Sequence, residues 1–379
     1  PLGLNIESLF YRLLGEGTWV EHVHSLFMAL ICGWLIVLLW KFLVGDNRQL
    51  RRLGWLPVLF WLMNPQVTWS YANNMLENTM TLFTLAAVIL LLRSCRPGKN
   101  WLLNQGLGTV AILASILTKG SVGLFPLVTF AAYQLITREL GWTRALGRSL
   151  LLAGSVAGLL GLVLLIPEAR YGLNRYYDTQ LAVSLSGARG NTGGNQFVFL
   201  VKLLNTLLPA LGVALLVLLA GWRKHLLART SGNLLRWSGV MLLLALAGSV
   251  PLVVSPRQSM FYVLPSFPFY ALATALPVAF VISALVEPLR DRTRLLRVWQ
   301  FASGILLVGV VIFSATKIGT YNRSENMVRD IKVIGAHVRS EIDLDPDQEY
   351  VVGLCGRLHR DWGLDVNLTS EVDRQTALH

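Results

Sequence analysis

Residues 53–92 read LGWLPVLFWLMNPQVTWSYANNMLENTMTLFTLAAVILLL, and between the flanking Arg52 and Arg93 the only charge is Glu77. At about 1.5 Å of rise per helical residue, this length makes two crossings of a ~30 Å hydrocarbon layer. The stretch therefore predicts a helical hairpin with Glu77 near its tip. Two further stretches repeat the arrangement. Lys119 is the only charge between Lys99 and Arg138, and Arg257 is the only one between Arg236 and Glu287. An ionisable group at or below a membrane interface costs several kcal/mol (roughly 3 at a helix centre) unless it is wet, paired or bound. One carboxylate and two cations at three tips on one face point to a site for an anionic, membrane-borne substrate.

Composition agrees with the hairpins. The 379 residues are 54% hydrophobic and 14% charged, with a mean hydropathy of +0.55. Repeated apolar runs of span length in such a chain mean a polytopic, all-α membrane protein. The expected spans run 22–41, 54–72, 75–92, 101–118, 121–137, 149–166, 197–221, 237–254, 259–286 and 298–316. The net charge of +12 is not a nucleic-acid footprint, because five loops on one side of this path carry 18 of the 33 basic residues. Such a bias is the positive-inside pattern and predicts that these loops are cytoplasmic. Tryptophans such as Trp19, Trp40, Trp101 and Trp142 fall near expected span ends, as an aromatic belt requires.

Three segments lie outside the spans. Residues 4–14 read as an amphipathic helix in the outer interface, with Ile6, Leu9, Phe10 and Leu13 on one face. Residues 167–196 form a loop rich in Arg, Tyr and Gly. Its Arg170, Arg175, Tyr177 and Asp178 suit a glycan or phosphate surface. Residues 318–379 read as a soluble α/β segment, with a helix near 324–341, a turn at 343–348 and a strand at 349–354. Domain boundaries are accordingly expected at 1–317 for the transmembrane part and 318–379 for a small C-terminal periplasmic unit.

Each tip charge has two readings. Glu77 is either a functional carboxylate or a helix-start acid stabilised by the dipole, with Asn73 or Asn74 as cap. Lys119, in LTKGSVG, either holds a phosphate oxygen or snorkels to the headgroups. Arg257, in SPRQSMFYVLPSFP, either grips phosphate, with Tyr262 adding a hydroxyl or a stacking face, or anchors the interface. Pro265 and Pro268 predict a broken helix just inside the membrane, tolerated where backbone lines a cavity. Glu21, His22 and His24 point to different helix faces, which argues against a shared metal. The scattered Cys32, Cys95 and Cys355 make neither a disulfide framework nor a metal knuckle. Walker loops, nucleophile elbows and HExxH motifs are lacking.

The runs PLGLNIESLFYRLLGEG, MLENTMTLFTLAAVILLL, LTKGSVGLFPL and SMFYVLPSFPFYALATA resemble the bacterial branch of GT-C membrane glycosyltransferases. These are the protein-mannosyltransferase-like and aminoarabinose-transferase-like enzymes. The resemblance covers most of residues 1–317 in order; LTKG and the YxLPxxP element are its most specific parts. It implies a GT-C-like fold in the bacterial inner membrane and an inverting transfer of one sugar from an undecaprenyl (polyprenyl) phosphate carrier. The acceptor, whether lipid A, protein or glycan, would be met on the periplasmic face, with a divalent metal as a possible cofactor. Lys119 matches the family's LTKG lysine, Arg257 precedes the YxLPxxP element, and Glu77 matches a position commonly Asp or Glu. The family's best-known catalytic acid lies in the first outer loop, after the first transmembrane helix. Both would precede Pro1, so the chain is expected to be truncated at its N-terminus and to lack that acid. The rival reading is a transporter or flippase of lipid-linked sugar, which calls for internal repeats and ionisable groups at mid-membrane. A non-catalytic scaffold needs no opposed tip charges.

Overall fold

A computed structural model describes residues 2–15, 18–177, 196–226, 232–253 and 258–286, with a few positions beyond. Two compact units divide the chain, Pro1–Gly309 and Val310–His379. In the second, Val352–Gly353 pairs antiparallel with Glu371–Val372. The first is helical in all its described elements. They are α1 (Leu2–Leu14), α2 (Thr18–Val44), α3 (Arg48–Arg51), α4 (Trp55–Leu62), α5 (Pro65–Ala72), α6 (Leu76–Ser94) and α7 (Trp101–Lys119). A 3-10 segment at Ser121–Val128 leads into α8 (Thr129–Thr137), followed by α9 (Trp142–Val163), α10 (Pro167–Tyr176), α11 (Gln196–Arg223) and α12 (Gly232–Ser249). Two further 3-10 segments, Val250–Val253 and Met260–Ser266, follow, the latter leading into α13 (Phe267–Val286).

Among the described residues seven helices are long and apolar enough to cross a membrane. Of the three expected spans outside this count, 54–72 and 121–137 are broken at proline. The run at 54–72 is two helices of eight residues each, α4 and α5. Pro65 has no N–H to continue α4 and forces the preceding residue extended, so Asn64 takes φ −76°, ψ 117°. Asn64 then caps the new helix by accepting from Gln66 N at 2.9 Å. Pro126 sits in a 3-10 turn at the start of the 121–137 run, so that run becomes a tight turn followed by a short α-helix; Pro265 sits in a similar turn at the start of the 259–286 run, which is still long enough to span. The span expected at 298–316, and the helix and turn expected at 324–341 and 343–348, lie outside the described residues.

The interior is apolar, with Trp40, Phe60, Phe130, Phe199, Phe267 and Phe269 fully buried. α9 and α11 instead expose Leu146, Leu150, Leu216 and Trp222, a liability in water but the expected face toward lipid. α6 and α7 form the central hairpin. Gly108 permits their close approach, since a Cβ there would meet Leu91 Cδ2 at 2.9 Å. At the basic end of the bundle, arginines close helix C-termini. Arg96 donates to Phe42 O near the end of α2 at 2.5 Å, and Arg148 donates to Ser94 O at the end of α6 at 3.0 Å. Both guanidinia also lie over aromatic rings, those of Phe42 and Trp101. The cations thus complement the negative ends of two spans while satisfying orphan carbonyls.

Candidate functional site

Glu77 is the second residue of α6 and Lys119 the last of α7. The two helices have 19 residues each and run antiparallel from the same loop, so their far ends meet. Lys119 Nζ lies 2.5 Å from Glu77 Oε1. The carboxylate is fully buried, and Glu77 Oε2 has no hydrogen-bond partner. The lysine side chain keeps about a quarter of its surface, 26%. Neither residue is therefore the lone charge that its own hairpin implies. Gly120, at φ 91° and ψ −152°, makes the turn that lets the chain leave α7 without covering the ammonium.

The turn before Glu77 is tied down by side chains. Met75 N and Asn78 Nδ2 both donate to Ser70 O, and Ser70 Oγ donates to Asn78 Oδ1. The expected cap is corrected here: Met75 occupies the N-cap position without a side-chain bond, and Asn73 turns back to Trp69 O. Asn74, in the left-handed region at φ 44°, reaches away from α6 altogether. Its amide nitrogen donates to Glu7 Oε1 at 2.5 Å, and its Oδ1 lies 2.8 Å from His24 Nδ1. Because the Asn74 nitrogen is committed to Glu7, its oxygen accepts, so His24 carries its proton on Nδ1. His24 is buried against the edge of Phe10, and its Nε2 has no hydrogen-bond partner.

These contacts revise the role of the first helix. Gly3 of α1 is buried; a Cβ there would meet Leu76 Cδ2 and Thr118 Cγ2, each at 2.9 Å. Those are the chain neighbours of Glu77 and Lys119, so α1 packs against the two helix ends that carry the ion pair. Glu7 follows Gly3 by one turn on the same face. Burial pushes its carboxyl above the ordinary value; His24 and the Asn74 hydrogen bond oppose the rise, and Glu21 adds to it. Leu9 and Leu13, two of the residues expected on the apolar face of an interfacial helix, are exposed.

The ammonium's open side is aromatic. Lys119 Nζ stands 5.1 Å from the centre of the Phe261 ring and 5.8 Å from that of Tyr262. A quadrupole face stabilises a cation without neutralising it, leaving its charge for an arriving anion. Among the described residues no group of three or more His, Cys, Asp or Glu is placed to hold a metal ion.

No family model matches this sequence, and no curated protein does. Two solved structures do match, both of ArnT from Cupriavidus metallidurans, one in the apo state and one bound to undecaprenyl phosphate. Each aligns with 83% of this chain at a TM-score of 0.53 and 20% identity. The fold is ArnT-like. The chain spans about half the length of these ArnT structures, 52% and 53%.

Within this ArnT-like fold, three sequence-selected residues come together: Glu77, Lys119 and Tyr262. Arg170 lies exposed on α10, which also carries Arg175, and Tyr177 follows that helix with 54% of its surface free. Among the described contacts, none joins Arg170 or Tyr177 to the Glu77–Lys119 pair. Arg257 and Asp178 lie outside the described residues. Phe261 and Glu7 escaped the sequence reading, which weighed Asn74 only as a helix cap and His24 only as a metal ligand. The one available signal was Asn73–Asn74 before a helix start, since asparagine tolerates the left-handed turn that frees its side chain.

Proposed function

We propose that this chain is a multi-pass inner-membrane glycosyltransferase that moves one sugar from a polyprenyl-phosphate carrier to an acceptor on the periplasmic face. The acceptor is lipid A, a protein or a glycan. The observation that carries the reading is the buried Glu77 carboxylate holding a partly exposed Lys119 under two aromatic rings at the tip of a membrane hairpin. Further support comes from the fold likeness to ArnT, one of whose structures is bound to undecaprenyl phosphate. The basic loops at the opposite end support a site on the periplasmic side.

In this reaction the bond between the anomeric carbon and the carrier phosphate breaks, and the electron pair leaves with the phosphate. Lys119 meets the charge that develops there, and Glu77 holds the ammonium in place. Arg257 would add a bidentate grip and Tyr262 a hydroxyl, while Arg170, Arg175, Tyr177 and Asp178 would face the acceptor. A flippase needs ionisable groups reachable from both sides. Glu77 and Lys119 stand at span ends instead, which favours chemistry on one face.

The test is sugar transfer in proteoliposomes from a synthetic undecaprenyl-phosphate-linked monosaccharide. Lys119→Ala should abolish it. Because this change also leaves a buried carboxylate unpaired, at a cost of roughly 3–5 kcal/mol, a Glu77→Gln/Lys119→Met double variant serves as control. It should regain thermal stability and stay inactive. Normal turnover in either variant would remove Lys119 from phosphate binding.

A further inference from the structure

We propose that the groove between α7 and α9 is an interface with a second copy of this chain, closed by reciprocal hydrogen bonds between the two Gln105 amides. The groove has a volume of about 620 Å³ and is lined by Gln105, Gly106 and Thr109 of α7 and by Leu151, Ser155 and Gly158 of α9. Among the described residues, α9 has the smallest buried share of the seven span-length helices. Its Gly154, Gly158 and Gly161 recur at one-turn spacing, and a Cβ added at any of them, or at Gly106, would meet nothing within 4 Å. Gly108 differs, because the same chain already brings Leu91 against it. In a membrane, small residues at such spacing let a second helix approach closely.

Glycines alone name no occupant, but Gln105 does. It stands one turn in from Trp101 at the start of α7, is 3% exposed, and its Oε1 has no hydrogen-bond partner. Its Nε2 donates to Arg148 O of α9 at 3.2 Å, and the Thr109 hydroxyl is spent on the Gln105 main-chain carbonyl at 2.9 Å. An amide nitrogen carries two hydrogens, so the side chain still has one donor and one acceptor to offer. An acceptor left unpaired inside a span is costly, and a lipid tail has no donor to give it. The same amide on a second copy supplies both halves. A two-fold axis along the membrane normal brings residues of equal depth together and keeps both sets of basic loops on one side, so Gln105 meets Gln105 and each donates to the other. Ser155, which makes no hydrogen bond among the described residues, adds a hydroxyl to the same face. The exposed Leu102, Leu151 and Leu162 form the apolar rim that the second copy would cover.

The full chain is purified in two batches, one carrying a donor and one an acceptor fluorophore, and both are reconstituted into phospholipid vesicles. Energy transfer between copies is followed as the vesicles are diluted with lipid. The wild type should show transfer well above that of random proximity. Gly158→Leu places a side chain where a Cβ meets nothing of its own chain, so helix content should stay the same while association weakens by about tenfold or more. Gln105→Leu should weaken association as well, but it also removes the bond to Arg148 O, so Gly158→Leu decides. Leu216→Ala, on the exposed face of α11, should change nothing. A wild type that is monomeric at every dilution, or association that Gly158→Leu leaves unchanged, would overturn the proposal. A monomer that holds a phospholipid which Gly158→Leu releases would overturn it too, by giving the groove to lipid.

Discussion

Glu77 and Lys119 each look expensive alone, and their pairing explains how both are kept. A buried carboxylate without a partner costs more than its attraction to a distant cation returns. At 2.5 Å the pair neutralises itself, and the remaining exposure of the lysine leaves it able to receive an anion. Glu7 is held differently, and pH separates the two cases. Its carboxyl is raised from 4.5 in the folded protein. The protonated form is therefore favoured by folding, and stability is lost as pH rises through the folded value. Glu7→Gln should thus match or exceed the wild type in thermal stability at pH 7, with the difference closing as pH falls to about 4. Thermal unfolding in detergent at both pH values checks this. A Glu7→Gln protein that is less stable than wild type at pH 7 would give the carboxylate a structural role.

At the scale of elements, the site depends on how α6 and α7 end. Glu77 near the N-terminus of one helix and Lys119 at the C-terminus of the other both complement the helix dipoles. Gly120 is the joint, in a backbone region open to glycine alone. Gly120→Ala should cost roughly 1–3 kcal/mol, by forcing the turn to shift and drawing Lys119 away from Glu77. Its expected signature is a lowered melting temperature together with weaker undecaprenyl phosphate binding. Much of this hairpin was legible beforehand. Glu77 precedes Arg93 by 16 residues and Lys119 follows Lys99 by 20, so helices differing by about one turn bring their far ends together. The break at Asn64–Pro65 was written in the sequence too, but a window of apolar residues reads straight across it.

At the scale of the molecule, charge bias and bundle geometry agree. Arg96 and Arg148 close two helix ends on the side expected to face the cytoplasm. A cysteine placed at Lys99 should therefore react with a membrane-impermeant maleimide only after the membrane is opened, and one at His22 should react in intact spheroplasts. The reverse labelling would invert the topology and move the Glu77–Lys119 site to the cytoplasmic face.

The membrane class, the hairpins and the ends at which their charges stand follow from the sequence by itself. Hydropathy over twenty residues and the cost of a charge in hydrocarbon are local properties. Which charges pair, what covers them and which carboxylate stays open were decided by tertiary structure. The contact of Gly3 with Leu76 and Thr118, and that of Glu7 with Asn74 and His24, join segments far apart in the chain. No periodicity records such contacts, because they arise only when α1 is laid across the end of a finished bundle.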